Sequence, residues 1–239
     1  MKNEKLSENE MLKKLLQFNT PTVGNVVATY PNNLHCLALY NNWYGHWYTN
    51  QKIRCMFPEK GSRIGYAVTL AFSLLDSNKK SCSFIDLIEV LNLSRKPIII
   101  VAQQKFPDDI ADSVGLFGGQ MTSMLQASGV VGVVTDGPSR DLDEMKKLDI
   151  QYIMSGVTPE HGDFALTEIN VPVSVAGMDV NPGEIIHMDE HGAVKFPADK
   201  LKDVFNNIEA LSDEEDRRVK ALLKAKNVDE IKRAWLNRI

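Results

Sequence analysis

The sequence predicts an α/β protein: a layered α/β/β arrangement with a largely parallel central sheet, antiparallel hairpins and C-terminal helices. Three observations predict it. First, KPIIIVAQ (96–103) and VVGVVTD (130–136) are short continuous apolar runs, which suit strands buried on both faces. Second, helical segments alternate with these runs, and strand–helix–strand–helix–strand order implies parallel pairing through right-handed crossovers. Third, the pattern changes after residue 170. VPVSVAGMDVNPGEIIHMDEHGAVKFP reads as short strands broken at Asn181-Pro182-Gly183 and Glu190-His191-Gly192, the signature of hairpins.

Taken in order, residues 7–18 place Met11, Leu12, Leu15, Leu16 and Phe18 at near-helical spacing. Thr20-Pro21 starts a second helix, with Pro at its first helical position, and Pro31 ends it. Residues 32–64, rich in aromatics (NNWYGHWY) and turn formers, read either as surface strands or as a loop region meeting a partner subunit. GYAVTLAFSLL (65–75) is β-like, and Ser83 to Asp86 is a capping-box start for SFIDLIEVLNL. SVGLFGGQMTSMLQASG is a glycine-containing turn entering a helix that Gly129 stops. RDLDEMKKLD is a short helix and IQYIMSG a further strand. From Pro197 the chain is helical, as ADKLKDVFNNIEAL and then SDEEDRRVKALLKAKNVDEIKRAWLNRI. The run Asp213 to Arg218 reads as a helix N-terminus, with acids placed for the dipole. No repeat or linker interrupts the chain. One domain over 1–239 is expected, with N-terminal helices at about 7–30 and a C-terminal helical extension at about 198–239.

The totals narrow the function classes. At 239 residues, 44% hydrophobic and 24% charged, the chain can bury a sizeable core and is unlike disordered or fibrous proteins. A net charge of -4 gives no broad basic surface, so no nucleic-acid partner is expected. Cys36, Cys55 and Cys82 are widely separated and odd in number, which suits reduced thiols rather than a zinc or redox motif. The first 18 residues lack an apolar signal core, and no apolar run approaches membrane-spanning length. A cytoplasmic protein without a membrane partner is expected.

The stretch VTDGPSRDLDE (134–144) carries the main chemical signal. A strand breaks at Gly137-Pro138, and Arg140 and Asp141 follow where a helix begins. In parallel sheets, ligands sit beside the loops at the strands' C-terminal ends. Arg140 there can grip a carboxylate in a two-pronged contact, and Asp141 can bind a hard divalent cation such as Mg²⁺. The plainer alternative is an ion pair that caps a helix. Gly115, Gly118 and Gly119 lie at another helix entrance, where backbone N–H groups can approach an anion. Consecutive units of a parallel sheet can bring both loops to one mouth. His187 and His191 bracket a predicted turn and are expected to be solvated. Trp43 and Trp47 read as packing or interface.

FGGQMTSMLQASGVVGVVTDGPSRDLDEMKKLDIQYIMSGVTPE and INVPVSVAGMDVNPGEIIHMDEHGAVKFP resemble the RraA-like proteins. That family includes the regulator of ribonuclease activity A and class II pyruvate aldolases acting on 4-hydroxy-4-methyl-2-oxoglutarate. The resemblance is strongest over about 112–200 and thin over 31–95. It implies that Arg140 grips a 2-oxo acid, that Asp141 ligates Mg²⁺, Mn²⁺ or another divalent metal, and that amides near Gly118, Gly119, Gln120 and Met121 bind the substrate carboxylate. It also implies a homotrimer or a hexamer of such trimers. In the aldolases an acid near the start of a neighbouring subunit's C-terminal helix also reaches this centre. Glu215 or Asp216 corresponds, and Asp216 is carried as that metal-side acid.

One departure stands out. The family's aldolases have an Asp, twenty intervening residues, then Arg-Asp. Here the matching position is Gly119. The proton-transfer role of that Asp is therefore vacant, with Asp112, Asp136 and Asp163 as possible substitutes. The function implied is a metal-dependent carbon–carbon lyase, aldolase or decarboxylase, working through a stabilised pyruvate enolate. The alternatives are a non-catalytic regulatory or binding protein on the same scaffold, or another enolate reaction on a sugar acid or hydroxy acid.

Overall fold

The computed structural model describes residues 6–41, 44–76 and 81–236. Ser7 opens helix α1 (Glu8–Leu15) with a reciprocal capping box to Glu10. Asn19 caps α2 (Thr20–Gly24), which continues as one π-helical turn over Asn25–Thr29. The described residues of 32–62 are mostly irregular and, apart from an isolated bridge at Tyr48, carry only the two-residue strand β1 (Arg54–Cys55) and a 3₁₀ turn at Pro58–Lys60. Strand β2 (Arg63–Leu74) follows, then α3 (Phe84–Leu93) with the Ser83/Asp86 capping box that the sequence predicts.

Strands β3 (Ile98–Lys105), β4 (Val130–Thr135) and β5 (Gln151–Met154) alternate with α4 (Asp108–Ala111), α5 (Gly119–Ala127) and α6 (Leu142–Lys146). Then come β6 (Phe164–Ile169), β7 (Val173–Val175), β8 (Met178–Val180), β9 (Ile185–Asp189) and β10 (Gly192–Phe196), and last α7 (Leu201–Lys224) and α8 (Val228–Leu236).

The main sheet runs β1-β5-β4-β3-β2-β9-β10, with β6 also on β2. Pairings among β2, β3, β4 and β5 are parallel. Those of β1, β6, β9 and β10 are antiparallel. The period-two alternation of side chains sorts the apolar runs into layers. On β3, Ile98, Ile100 and Ala102 face a core shared with Leu87, Leu91 and Leu125 of α3 and α5. Ile99 and Val101 face the opposite core, against Val173, Val175 and Met178 of the β7–β8 hairpin. A third core packs α1, α2 and α7 on β9 and β10. This is the predicted layered α/β/β order with C-terminal helices.

Several expectations need correction. Asn181-Pro182-Gly183 does not close a hairpin: β8 pairs with β7, while β9 pairs with β2 and β10. The hairpin turn lies instead at Ala176-Gly177, both at positive φ. Strand β6 escapes the sequence reading because its pairing with β2 is long-range. The run 213–218 is not a helix start but the middle of the 24-residue α7. There Glu215 accepts from Asn25 Nδ2 at 3.0 Å, and Glu214 from Asn33 Nδ2 at 3.0 Å. His187 is buried, not solvated, with Nδ1 2.9 Å from Thr20 Oγ1. Trp47 is core, stacked on Tyr40; Trp43 lies outside the described residues.

Candidate active site

Three loops at the C-terminal ends of β3, β4 and β5 are stitched together by backbone hydrogen bonds. The Leu116 N–H donates to Pro138 O at 2.8 Å and the Arg140 N–H to Phe117 O at 2.9 Å. On the other side, the Ser139 N–H donates to Gly156 O at 3.0 Å and the Thr158 N–H to Ser139 O at 2.9 Å. The segment after β4 is thus held like an extra strand between its neighbours, with Ser139 fully buried. That clamp fixes where Arg140 and Asp141 emerge.

Asp141 stands at the N-cap position of α6, in the left-handed conformation with φ 59 and ψ 41. Asp tolerates this conformation better than most residues. An N-cap aspartate ordinarily accepts from its own helix; this one makes no such cap hydrogen bond. Its Oδ2 instead accepts the Gly119 N–H at 3.1 Å, and Arg140 Nε lies 3.5 Å from the same oxygen. The ion pair of the plainer alternative is thus present at the N-cap of α6, but the Asp141 side chain does not cap its own helix.

Arg140 and Asp141 keep 36% and 33% of their side-chain exposure and line a cavity of about 640 Å³. Gly118, Gln120 and Met121 line it too, at the entrance of α5. Thr122 anchors that helix: its hydroxyl donates to Gly118 O at 2.8 Å and lies 2.8 Å from the buried Tyr152 hydroxyl. The first-turn amides of α5 and its dipole favour an anion at the cavity end. A Cβ at Gly118 would come within 2.6 Å of Asp141 Oδ2, so a side chain there would push that carboxylate aside. Phe84 and Ile88 of α3, with Met124 and Phe164, make the opposing apolar wall, and His161 stands among them.

The sequence-named residues Gly118, Gln120, Met121, Arg140 and Asp141 come together, with the Gly119 amide bonded into the same group. Asp216 does not join them within one chain; it is exposed on α7, which packs against α1 and α2. Of the suggested substitute acids, none lines the cavity. Asp136 follows β4 and accepts the Gln104 N–H at 2.7 Å, and burial pushes its carboxyl up to about 6. Sequence reasoning missed Glu144, His161, Phe84 and Ile88, all of which face the cavity. For Glu144 a signal existed: it lies three residues after Asp141, on the same face of the helix start.

A divalent cation is compatible with the donors present. Among the described residues no group of three or more His, Cys, Asp and Glu converges, which is unlike a closed structural site. Mg²⁺ takes one or two carboxylates and keeps several waters, and Asp141 offers such a carboxylate at the mouth of the cavity. No helix among the described residues is long and apolar enough to cross a membrane.

Known proteins give the same pattern a family. DlpA of Legionella pneumophila is 26% identical over 156 residues, covering 64% of this chain and 24% of that protein. The 4-hydroxy-4-methyl-2-oxoglutarate aldolase of Thermus thermophilus is 31% identical over 83 residues, covering 34% of this chain and 51% of the enzyme. The chain thus spans about a quarter and about half of these two curated relatives. In three dimensions it is similar to Streptomyces coelicolor RraAS2, an unusual member of the RNase ES inhibitor RraA protein family. That likeness has a TM-score of 0.67 and 19% identity, covering 90% of this chain and 98% of the other. The RraA-like family model (Aldolase/RraA) matches residues 38–195, and this chain belongs to that family.

Proposed function

We propose that the cavity binds a small 2-oxo acid such as pyruvate and that the protein is a divalent-metal-dependent carbon–carbon lyase, of aldolase or decarboxylase type. The observation that carries this reading is the convergence of Arg140, Asp141 and the entrance of α5 on one cavity. The Arg140 guanidinium contributes bidentate, charge-assisted donors for the carboxylate and keto oxygens. The amides of Gln120 and Met121 add donors at the positive end of α5. Asp141 would hold Mg²⁺ or Mn²⁺, and that ion when bound supplies Lewis-acid polarisation of the keto oxygen. As the enolate forms, charge accumulates on oxygens that Arg140 already faces, and this preorganised positive charge lowers the barrier. Phe84, Ile88 and Phe164 give the cavity an apolar side. A homotrimer, in which Asp216 of a neighbour approaches the cavity, is part of the same proposal, as is a single domain for the whole chain.

The relatives named as aldolases support the lyase reading, and the family also contains regulators. The test is deuterium exchange. Incubated with pyruvate and Mg²⁺ or Mn²⁺ in D₂O, the protein should erase the methyl proton signal, and Asp141→Asn should not. Absence of exchange with either metal would sink the lyase reading in favour of a binding protein.

A further inference from the structure

We propose that Glu144 is the acid–base residue of this cavity, and that position 119 is glycine because Glu144 occupies the space its side chain would fill. The proposal rests on the reading of the cavity as a 2-oxo acid site, and it names the group that moves the proton there.

The steric observation comes first. A Cβ built on Gly119 would overlap Glu144 Oε2 outright, and would lie 2.9 Å from Glu144 Cδ and 3.0 Å from Glu144 Cβ. Gly119 does not adopt the left-handed backbone that selects for glycine, since it opens α5 without a positive φ. A side chain at 119 would thus displace the Glu144 carboxylate from the place it holds. Residue 119 and residue 144 compete for one volume, and here residue 144 fills it.

The second observation concerns commitment. Two carboxylates face the cavity, those of Asp141 and Glu144. Asp141 Oδ2 already holds the Gly119 N–H and stands beside Arg140 Nε. The Glu144 side chain has no hydrogen-bond or ion-pair partner among the described residues, so its lone pairs are open to a substrate proton. Its backbone is fixed: the Glu144 N–H donates to Asp141 O at 3.0 Å, and the adjacent Met145 is fully buried. A freely accepting carboxylate on a fixed helical turn is what proton transfer at this mouth requires.

The step balances without any redox partner. With a 4-hydroxy-2-oxo acid, the Glu144 carboxylate takes the C4 hydroxyl proton. The O–H electron pair becomes the new C4 carbonyl bond, and the C3–C4 bond breaks. Its electrons form the C2–C3 double bond, leaving the negative charge on the C2 oxygen that faces Arg140. The protonated Glu144 then returns its proton to C3, giving the methyl group of pyruvate. Methyl exchange in D₂O is that last proton transfer run backward and forward.

The experiment compares the parent with Glu144→Gln and with the double variant Gly119→Asp/Glu144→Ala, which moves the carboxylate to the other side of the shared volume. Three readings are taken: metal-dependent exchange of the pyruvate methyl protons, oxalate affinity by calorimetry, and thermal midpoint. Glu144→Gln should lose on the order of 10²–10⁴-fold in exchange rate, with oxalate affinity within about twofold and an unchanged midpoint. The double variant should recover at least about tenfold over Glu144→Gln. Exchange by Glu144→Gln at the parent rate would overturn the assignment. So would a loss of oxalate affinity in step with rate, which would make Glu144 a shaping residue. A parent that binds oxalate but exchanges nothing overturns the Glu144 role and leaves the anion site standing. A parent that does neither overturns both.

Discussion

The Gly119 amide donates to Asp141 Oδ2 at 3.1 Å, so the first turn of α5 is tied to the residue that precedes α6. Asp141 can accept this bond because its left-handed backbone turns the carboxylate away from its own helix. The conformation suits Asp and Asn and costs most other residues about 1–2 kcal/mol. Asp141→Asn should therefore keep the fold and lose divalent-cation affinity together with exchange. Asp141→Ala should lose the same affinity and also stability, by about 1 kcal/mol relative to Asn. Metal titration and chemical denaturation of the two variants separate the charge from the backbone. Equal Mn²⁺ affinity in the Asn variant and the parent would remove Asp141 from the metal site.

Arg140 lines the cavity beside Asp141, with its Nε 3.5 Å from Asp141 Oδ2. Hydrogen bonds to charged groups contribute about 1.5–3 kcal/mol each. Arg140→Ala should weaken oxalate binding by about 10- to 100-fold, without a comparable change in stability. Arg140→Lys should recover only part of the loss, because an ammonium cannot reproduce the planar fork. Calorimetric titration with oxalate measures both. An unchanged affinity in Arg140→Ala would mean that the anion is held elsewhere.

Gly118 is extended, with φ -147 and ψ -175, so alanine meets no conformational penalty there. The obstacle is steric, since the new methyl would press on Asp141 Oδ2 and come within 3.4 Å of Arg140 Cγ. Gly118→Ala should displace the Asp141 carboxylate and reduce metal affinity about tenfold or more, while the thermal midpoint moves by only a few degrees. A variant with parental metal affinity would show that Asp141 need not sit where Gly118 lets it.

What the sequence made legible was local. The Ser83/Asp86 capping box, the apolar runs of β3 and β4 and the stop at Gly129 are short-range signals, and each stands where it is expected. Arg140, Asp141 and the glycine loop were legible because parallel strands send successive loops to one edge. Strand β6 and the true partners of β8 and β9 were not legible, since strand pairing is settled by contacts remote in sequence. The charged run 213–218 misled for a related reason. Acids that look like a helix start are satisfied inside α7 by Asn25 and Asn33 from another part of the chain. Glu144 was in plain view at the end of VTDGPSRDLDE. Its position over Gly119, facing the cavity, is set by the fold and is not visible in the sequence.

The part-buried Asp136 and the fully buried His187 set opposing dependences of stability on pH. Burial raises the Asp136 carboxyl to about 6 from an ordinary value of 3.8. The folded state then binds the proton more tightly than the unfolded chain. The resulting stability is fully present below pH 3.8 and is lost as pH rises through about 6. Burial lowers His187 to about 4 from 6.5, against the pull of Asp189. Stability from that group is present above pH 6.5 and is lost as pH falls through about 4. Each effect amounts to about 3 kcal/mol at full extent, so across pH 4–6 the two largely cancel. Asp136→Asn keeps an acceptor for the Gln104 N–H and removes one of the pair. Its stability relative to the parent should be near zero at pH 4 and rise to about 1–3 kcal/mol in its favour at pH 7. His187→Asn should show the complementary trend, with its deficit relative to the parent shrinking as pH falls from 7 to 4. Urea denaturation at half-unit steps from pH 4 to 8 reads both differences directly, and a pH-independent difference for Asp136→Asn would show that its carboxyl is not held protonated by the fold.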